Sequence, residues 1–306
     1  MDGVPFRKLG DENNLSGVQV YNRVKAELKQ LPGNTDLTKQ LCDPKRFCGI
    51  LIMDGKYVAV KGFEQKIPFI YGIDYLTHDI PLGDLYAAED ELSFSVFFAK
   101  LKTLGYSPRV VVADDRAGLK RALNKVFPKA KLQLCHMHYL ENLRRLLNVR
   151  TEEKYQHFFN SLRQHVFLEA RNQQQAVQAL RHVWTNYAGS RKLLQNIILQ
   201  INERREELFA YLGIPDCPNT TNLIELYNSH LQGRLKTIKG FQGFESARCW
   251  LSAYLVRRRT KELTDCEAKF KHLNKHASLE LTIKKQAQWP DSLTKLDVKK
   301  IGYFES

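Results

Sequence analysis

The chain has 306 residues, 43% of them hydrophobic, so it can bury one large core or two modest ones. No apolar run approaches the roughly 20 residues that a membrane span needs, and no signal-peptide pattern opens the sequence. Lys and Arg outnumber Asp and Glu by 47 to 33, a formal net charge of +14. Composition therefore argues against a membrane or secreted protein. It predicts an intracellular protein with a polyanionic partner, above all nucleic acid.

Residues 1–44 precede the first predicted strand and carry one clear helical pattern. The stretch LSGVQVYNRVKAELKQLP places apolar residues along one stripe, with Ser16 as N-cap and Pro32 after the last turn. We interpret it as a packing helix, and the alternative is a remnant of a helix-turn-helix DNA-binding module.

From Phe47 the pattern changes to that of strands. The apolar run FCGILIMDG ends in Asp54 and Gly55, and KYVAVKG follows at once, which predicts a β-hairpin that turns at these two residues. IPFIYGIDYL predicts a third strand. A helix ending near Gly105, a buried strand RVVVAD ending at Asp114, a helix RAGLKRALNKVF and a fifth strand AKLQLC complete the region.

This order of three meandering strands, helix, strand, helix and strand resembles a ribonuclease H-like domain. In that fold the first and fourth strands are neighbours, so Asp54 and Asp114 are expected to converge. The predicted fold class is α/β, a ribonuclease H-like mixed sheet. It carries a large all-α insertion between the fifth strand and the third catalytic helix.

Residues 139–218 show helical periodicity throughout and predict the all-α insertion. Its expected core residues are Trp184, Leu193, Ile197 and Leu208. The stretch PNTTNLIELYNSHLQGRLKTIKGF then predicts a helix behind an Asn/Thr capping cluster. This helix has an apolar stripe and a wholly polar row that includes Glu225, so Glu225 is expected to face a polar cleft.

Three motifs in this order resemble those of the DDE transposases of the bacterial Mutator type and their eukaryotic Mutator-like relatives. The first is ILIMDGKYV around Asp54. The second is VVADDRAGLKRALNKVFPKAKLQLCHMHYLENL, which carries Asp114 and a Cys-x-x-His pair. The third is NTTNLIELYNSHLQGRLKTIKGF, which carries Glu225. The resemblance covers roughly residues 45 to 260, and three motifs in order are far more specific than any one.

The resemblance implies a catalytic and metal-binding triad of Asp54, Asp114 and Glu225. Phosphodiester chemistry of this kind uses two divalent ions, and Mg²⁺ or Mn²⁺ suits carboxylate oxygens. Asp54 is expected to bridge the two ions, while Asp114 and Glu225 each hold one. Counting back five residues from Leu119 selects Asp114 as the family's second acid. The neighbouring Asp115, which points the other way if the strand continues, is interpreted as a helix N-cap or first-turn acid.

Cys135 and His138 match the family's Cys-x-x-His pair and are predicted auxiliary residues. Either His138 lies near the scissile phosphate, or Cys135 fills the core and His138 makes a hydrogen bond at a helix N-terminus. One such pair is weak evidence for zinc. The six cysteines are expected to be reduced, because they are scattered through a long chain without a secretion signal.

Basic residues near Glu225 and on the insertion are predicted to contact DNA phosphates. They are Arg191, Lys192, Arg234, Lys236, Lys239, Arg257, Arg258 and Arg259. Further positive charge on the insertion comes from Arg181, Arg204 and Arg205.

The resemblance implies a DNA transposase that cleaves DNA at element ends and joins the 3′-hydroxyls to target DNA, as a homodimer or larger assembly on double-stranded DNA. The alternatives are a resolvase-type nuclease of the same fold and a domesticated, non-catalytic DNA-binding protein. The expected location is the nucleoid-associated cytoplasm of a prokaryote or the nucleus of a eukaryote. The predicted segments are an N-terminal helical segment 1–44, core 45–138, insertion 139–218, core with the Glu225 helix and basic segment 219–262, and a C-terminal tail 263–306.

Overall fold

The computed structural model describes residues 4–187, 189, 191–238, 240–285 and 287. Within them the chain forms a mixed α/β fold in which helices cover both faces of one five-stranded sheet. None of the described helices is long and apolar enough to cross a membrane.

The sheet runs in the order β3-β2-β1-β4-β5. Its strands are β1 (Ile50–Val58), β2 (Ile67–Asp74), β3 (Leu82–Leu85), β4 (Val110–Ala113) and β5 (Lys131–Leu134). β1 is antiparallel to β2 and parallel to β4, and β4 is parallel to β5. The prediction that the strands leading to Asp54 and Asp114 are neighbours is confirmed, since Ile52 pairs with Val112.

The predicted hairpin turn at Asp54 and Gly55 is wrong. Both residues lie inside β1, which runs on through Val58 and pairs with β2 along both halves. An Asp-Gly pair favours a turn locally, but Gly55 has a different role here. A Cβ atom at this position would lie 2.2 Å from Oε1 of Glu89. KYVAVKG therefore contributes largely to the second half of β1. The third strand of the meander is instead the short β3, which was not predicted because its four residues carry little periodicity.

Alternate residues of β1 enter two separate cores, as the two-residue period of a strand requires. The helices that cover the sheet are α4 (Glu91–Thr103), α5 (Leu119–Val126), α11 (Asn222–Leu235) and α12 (Phe244–Thr260). Leu51 points to the face covered by α4 and α5, whereas Ile52 and Val112 point to the face covered by α11 and α12. By the same alternation Asp54 and Asp114 continue the face that α11 covers.

The described residues between 139 and 218 contain helices and no strand, as predicted. The helices are α6 (His136–Leu146), α7 (Glu153–Ser161) continued by a π-helical stretch Leu162–Leu168, α8 (Gln173–Tyr187), α9 (Lys192–Glu203) and α10 (Arg205–Leu208). Ile197 and Leu208 are buried and Leu193 packs beside them. The prediction of Trp184 as a core residue is wrong, because this side chain is 37% exposed. The buried stripe of α8 passes through Val183, and the next residue is turned about 100° away from it.

The N-terminal part forms α1 (Phe6–Glu12), α2 (Gly17–Gln30) and α3 (Asn34–Leu41). The predicted cap of α2 is confirmed: Ser16 Oγ accepts from the Gln19 N–H at 3.2 Å, and the Gln19 side chain accepts from the Ser16 N–H at 2.8 Å. Leu37 of α3 is fully buried and packs with Val256 of α12, so this part of the chain is attached to the helical layer over the sheet.

Candidate active site

Three carboxylates from distant parts of the chain meet beside the carboxyl end of β4. Asp54 lies in the middle of β1, Asp114 directly follows β4, and Glu225 is in the first turn of α11. Extending the pairing of Ile52 with Val112 by two residues sets Asp54 beside Asp114, on neighbouring strands ordinarily about 4.8 Å apart. The side chains of Asp114 and Glu225 are 17% and 45% exposed, so a ligand can reach both.

Asn228 ties Asp54 to the helix that carries Glu225. Its Nδ2 donates to Oδ2 of Asp54 at 2.7 Å, and its Oδ1 accepts from the buried Tyr71 hydroxyl at 2.9 Å. Asn228 follows Glu225 by three residues, so both side chains lie on the same side of α11. Asp54 is therefore held against the side of α11 that carries Glu225.

His138 lies between the other two carboxylates. Its Nδ1 is 2.7 Å from Oδ1 of Asp114 and 3.8 Å from Oε1 of Glu225. The same nitrogen is 3.3 Å from the sulfur of Cys135, which is buried at the start of α6. The sequence allows two positions for His138, and the structure places it among the carboxylates.

Thr221 connects Glu225 to the Cys-x-x-His pair. Its hydroxyl donates to Oε1 of Glu225 at 2.8 Å and lies 3.2 Å from the Cys135 sulfur. Its N–H donates to that sulfur at 3.4 Å. Thr221 is the residue before α11, as expected from the capping cluster, but its side chain does not cap the helix. The predicted side-chain cap is therefore wrong at Thr221, because the hydroxyl is used by the site.

The ionisation of the site reflects an excess of acids. Burial raises the pKa of Asp54 to about 6, and the adjacent Asp114 carboxylate adds to the rise. The Asp114 carboxylate, followed by the Cys135 thiol, raises the pKa of His138 to about 10. Burial opposes ionisation of Cys135, but hydrogen bonds from His138 and Thr221 outweigh it and lower the pKa of the thiol. At neutral pH a cationic imidazole ring therefore stands among the carboxylates.

The free lone pairs of the two aspartates fit hard divalent cations. Oδ1 of Asp54 accepts from the Gly55 N–H and Oδ2 accepts from Asn228, each at 2.7 Å, so each oxygen keeps one further acceptor site. Oδ1 of Asp114 is buried and lies 2.7 Å from Nδ1 of the cationic His138 ring, and a carboxylate oxygen keeps a further acceptor site beyond that contact. Mg²⁺ and Mn²⁺ prefer such oxygen ligands.

A second possible set of metal ligands, with sulfur and nitrogen atoms, shares Asp114 with the carboxylates. Oxygen, sulfur and nitrogen atoms of Asp114, Cys135 and His138 all lie within 4.8 Å of one another. A metal bound through this set would need the neutral ring of His138, which is cationic at neutral pH in the metal-free site.

A polar cleft of about 510 Å³ opens beside the site. It is lined by Lys56, Glu225, Asn228, Ser229, Gln232, Gly233 and Lys236. The expectation that Glu225 faces a polar cleft is confirmed. Lys56 and Lys236 place positive charge at the cleft, next to the carboxylates.

Asp115 points away from the site, as strand alternation predicts, but it is not a helix cap. The N-cap residue of α5 is Gly118, three residues later. The Asp115 carboxylate instead binds Arg204 at the end of α9, with Nη2 donating to Oδ1 at 2.8 Å. This hydrogen bond and the charge of the guanidinium hold the pKa of Asp115 below its ordinary value. Arg204 also binds Glu207 at 2.9 Å, so its guanidinium takes part in two ion pairs within the protein.

The prediction that Arg259 contacts DNA is wrong. Its side chain is 0% exposed and forms a salt bridge with the equally buried Asp79, with Nε at 2.7 Å from Oδ1. The remaining guanidinium donors reach Asn34, Thr38 and the Cys42 sulfur. Residues 257–259 read as a basic run in the sequence, but the 100° turn per helical residue directs the third arginine into the interior.

The other predicted DNA contacts have mixed surroundings. Arg258 stacks on the Tyr227 ring at 4.6 Å, and Arg257 and Arg234 are half-buried. Three residues are exposed, namely Arg191, Lys192 and Lys236. Lys239 lies outside the described residues.

Sequence reasoning missed two groups that contact Asp54 or its surroundings. The first is Asn228, which stands in the polar row of α11 and was detectable only as one polar residue among several. The second is Glu89, whose carboxylate accepts from the Tyr57 hydroxyl at 2.9 Å, lies 3.4 Å from Nε of Arg116, and further raises the pKa of Asp54. It carries no recognisable local pattern.

Comparisons with known proteins point to one family. The family model described as "Transposase, Mutator family" matches residues 49–262, which include all three carboxylates. The transposase for insertion sequence element IS1201 of Lactobacillus helveticus is 24% identical over 249 residues, covering 76% of this chain and 64% of the relative. The transposase for ISRM5 of Rhizobium meliloti is 32% identical over 98 residues, 30% of this chain and 25% of the relative.

The transposase for IS256 in transposon Tn4001 of Staphylococcus aureus is 24% identical over 174 residues, covering 56% of this chain and 43% of the relative. The aligned part of the chain thus spans between a quarter and two thirds of these relatives, from 25% for ISRM5 to 64% for IS1201. Because the family model spans more than half of the chain, the chain belongs to the Mutator family of transposases.

Proposed function

We propose that the chain is the catalytic core of a DDE-type DNA transposase, which cleaves double-stranded DNA at the ends of its element and joins the 3′-hydroxyls to target DNA. The observation that carries this proposal is the convergence of Asp54, Asp114 and Glu225, which are connected through Asn228 and His138. Membership in the Mutator family agrees with it.

The proposed fold is ribonuclease H-like. The strand order β3-β2-β1-β4-β5, with antiparallel β1 to β3 and parallel β1, β4 and β5, supports this assignment. The helices between β5 and α11 then form the insertion, and the segment boundaries remain those stated from the sequence.

The three carboxylates are proposed to hold two Mg²⁺ or Mn²⁺ ions. Asp54 suits the bridging position, because each of its oxygens keeps a lone pair. When bound, such ions lower the pKa of the attacking water or hydroxyl and neutralise charge on the leaving oxygen. The protein residues orient the ligands: Asn228 holds Asp54, and Thr221 holds Glu225.

The exposed Lys236 and the adjacent Lys56 are proposed to bind the DNA backbone beside Glu225. Arg191 and Lys192, at the start of α9, are proposed to grip the DNA flank. A homodimer or larger assembly on DNA is proposed, because two element ends have to be processed together.

The test uses the protein with the DNA that flanks its own reading frame and Mg²⁺, followed by mapping of the cleaved phosphodiesters. Asp54→Ala, Asp114→Ala or Glu225→Ala should abolish cleavage while DNA binding survives, since these groups hold cations rather than phosphates. Asp115→Ala is the matched control and should keep cleavage within about tenfold, because it removes only the ion pair to Arg204. Full cleavage by Asp114→Ala together with loss in Asp115→Ala would contradict the assignment. Cleavage without any divalent cation would contradict the proposed chemistry.

A further inference from the structure

Asn228 lies between two paired residues of adjacent strands. Asp54 of β1 is paired with Tyr71 of β2, and both side chains are on the face covered by α11. The Asn228 amide bridges them, donating to the carboxylate at 2.7 Å and accepting from the phenol at 2.9 Å. One side chain of the helix is thus inserted between a cross-strand pair.

The Tyr71 hydroxyl selects the orientation of this amide. An ionised carboxylate only accepts hydrogen bonds, so Asn228 has to present Nδ2 to Asp54. The opposite orientation would set Oδ1 against the carboxylate. Tyr71 is 1% exposed, and its hydroxyl donates to Oδ1, which stabilises the productive orientation.

The same amide fixes the distance between β1 and α11. Apolar contacts of Tyr227 and Leu231 seat the helix on the sheet, but such contacts have no directional preference. The hydrogen bond from Asn228 to Asp54 is directional and lies one turn from Glu225. It therefore sets how far Glu225 stands from Asp54.

We propose that Tyr71 and Asn228 form a positioning pair for the cation site, in which Asn228 orients Asp54 and spaces it from Glu225, and Tyr71 acts only through Asn228. This inference rests on the proposed function, because it assigns the pair to a site that binds divalent ions. Neither residue is a catalytic residue, since neither is proposed to touch the ions or the DNA.

A double-mutant cycle tests the pair. Mn²⁺ affinity is measured by calorimetry without DNA, and the Mn²⁺ concentration for half-maximal cleavage is measured with DNA. Asn228→Ala should weaken both by about 10- to 100-fold, the usual range for groups that orient metal ligands. Tyr71→Phe should weaken both by several-fold in the wild type and by nothing further in the Asn228→Ala background. An equal effect of Tyr71→Phe in both backgrounds would overturn the proposal.

Two variants separate positioning from packing. Asn228→Asp keeps the shape but replaces the donor with an acceptor, so it should lose Mn²⁺ affinity at least as strongly as Asn228→Ala; unchanged affinity would overturn the proposal. Tyr254→Phe is the matched control for Tyr71→Phe. Tyr254 is also buried in this core, but its hydroxyl has no hydrogen-bond partner among the described residues. It should leave Mn²⁺ affinity unchanged, and a loss equal to that of Tyr71→Phe would assign both effects to packing.

Asp54→Ala distinguishes failure of this inference from failure of the proposed function. If Asp54→Ala loses Mn²⁺ binding and Asn228→Ala does not, the positioning role is wrong and the cation site stands. If Asp54→Ala binds Mn²⁺ like the wild type, the cation site itself is wrong, and the positioning pair fails with it. Thermal melting of each variant confirms that the comparison is made on folded protein.

Discussion

Two clusters of charged side chains in this protein differ in how far their charges are compensated. In the interior, Asp79 and Arg259 are both 0% exposed, and the carboxylate also accepts from Ser278 and Thr282. At the candidate site, Asp114 and Glu225 lie 2.7 Å and 3.8 Å from the cationic ring of His138, and burial together with the charge of Asp114 raises the pKa of Asp54 to about 6. The first cluster is neutral and saturated with hydrogen bonds, whereas the second has unused acceptors.

This difference distinguishes a structural cluster from a proposed cation site. A buried ion pair is tolerated only when each charge is compensated, so the Asp79–Arg259 pair joins α3, α12 and the segment after it without reactivity. An acidic site with spare lone pairs is unfavourable by itself and gains stability when a cation enters. Net charge within the cluster, rather than the number of charged residues, separates the two.

The largest expected effect concerns the interior cluster. Arg259→Leu should lower the free energy of unfolding by about 3–5 kcal/mol, because it leaves Asp79 buried without its partner. Urea denaturation measures this loss. Arg248→Leu on the same helix is the control and should change stability by less than about 0.5 kcal/mol, since its side chain is 54% exposed. A loss below about 1 kcal/mol for Arg259→Leu would show that water compensates Asp79.

Charge reversal of Arg257, Arg258 and Arg259 together therefore tests folding more than DNA binding.

The second effect concerns the pH dependence of the metal-free protein. The folded pKa of Asp54 is raised to about 6 from an ordinary 3.8, so the ionised group destabilises the folded state. Protonated Asp54 adds to the free energy of unfolding at low pH, and this contribution is lost as pH rises through about 6. Between pH 4 and pH 7 the wild type should thus lose on the order of 2 kcal/mol relative to Asp54→Asn. Denaturant unfolding in EDTA across this range measures the difference. Parallel curves for the two proteins would contradict the raised pKa.

The smallest effect on stability is expected on the helical insertion. Arg191 and Lys192 are exposed at the start of α9, and Arg191 donates to the Tyr155 hydroxyl at 3.1 Å. Replacing both by Gln should change the free energy of unfolding by less than about 0.5 kcal/mol. Cleavage and affinity for end DNA should fall, with a shallower salt dependence, because fewer counterions are released.

Lys125→Gln with Lys129→Gln removes the same charge from exposed positions in and after α5 and is the control for that variant. If the Arg191 and Lys192 variant matches this control in affinity and cleavage, the two residues do not contact the substrate.

The strands and helices from β2 to β5 apart from the short β3, the all-helical stretch after β5, and the family were all accessible from the sequence. Each depends on apolar periodicity or on short motifs, and both are local properties of the chain. The count back from Leu119 selected Asp114, and the structure directs the two neighbouring carboxylates to different partners, Asp114 to His138 and Asp115 to Arg204. The family match over residues 49–262 agrees with the three motifs quoted from the sequence.

Other features depended on residues far apart in the chain. The Asp-Gly pair in β1 reads as a turn until both residues are found paired with Tyr71 and Ile70 of β2. Arg259 reads as a DNA contact until Asp79, 180 positions away, is placed against it. Asn228 reads as one polar residue in a row until it is found 2.7 Å from Asp54. The sequence by itself determined which elements form and which acids are candidates, because periodicity records burial. Only the tertiary structure decided which charges are paired and which are free, because a pairing partner leaves no local pattern.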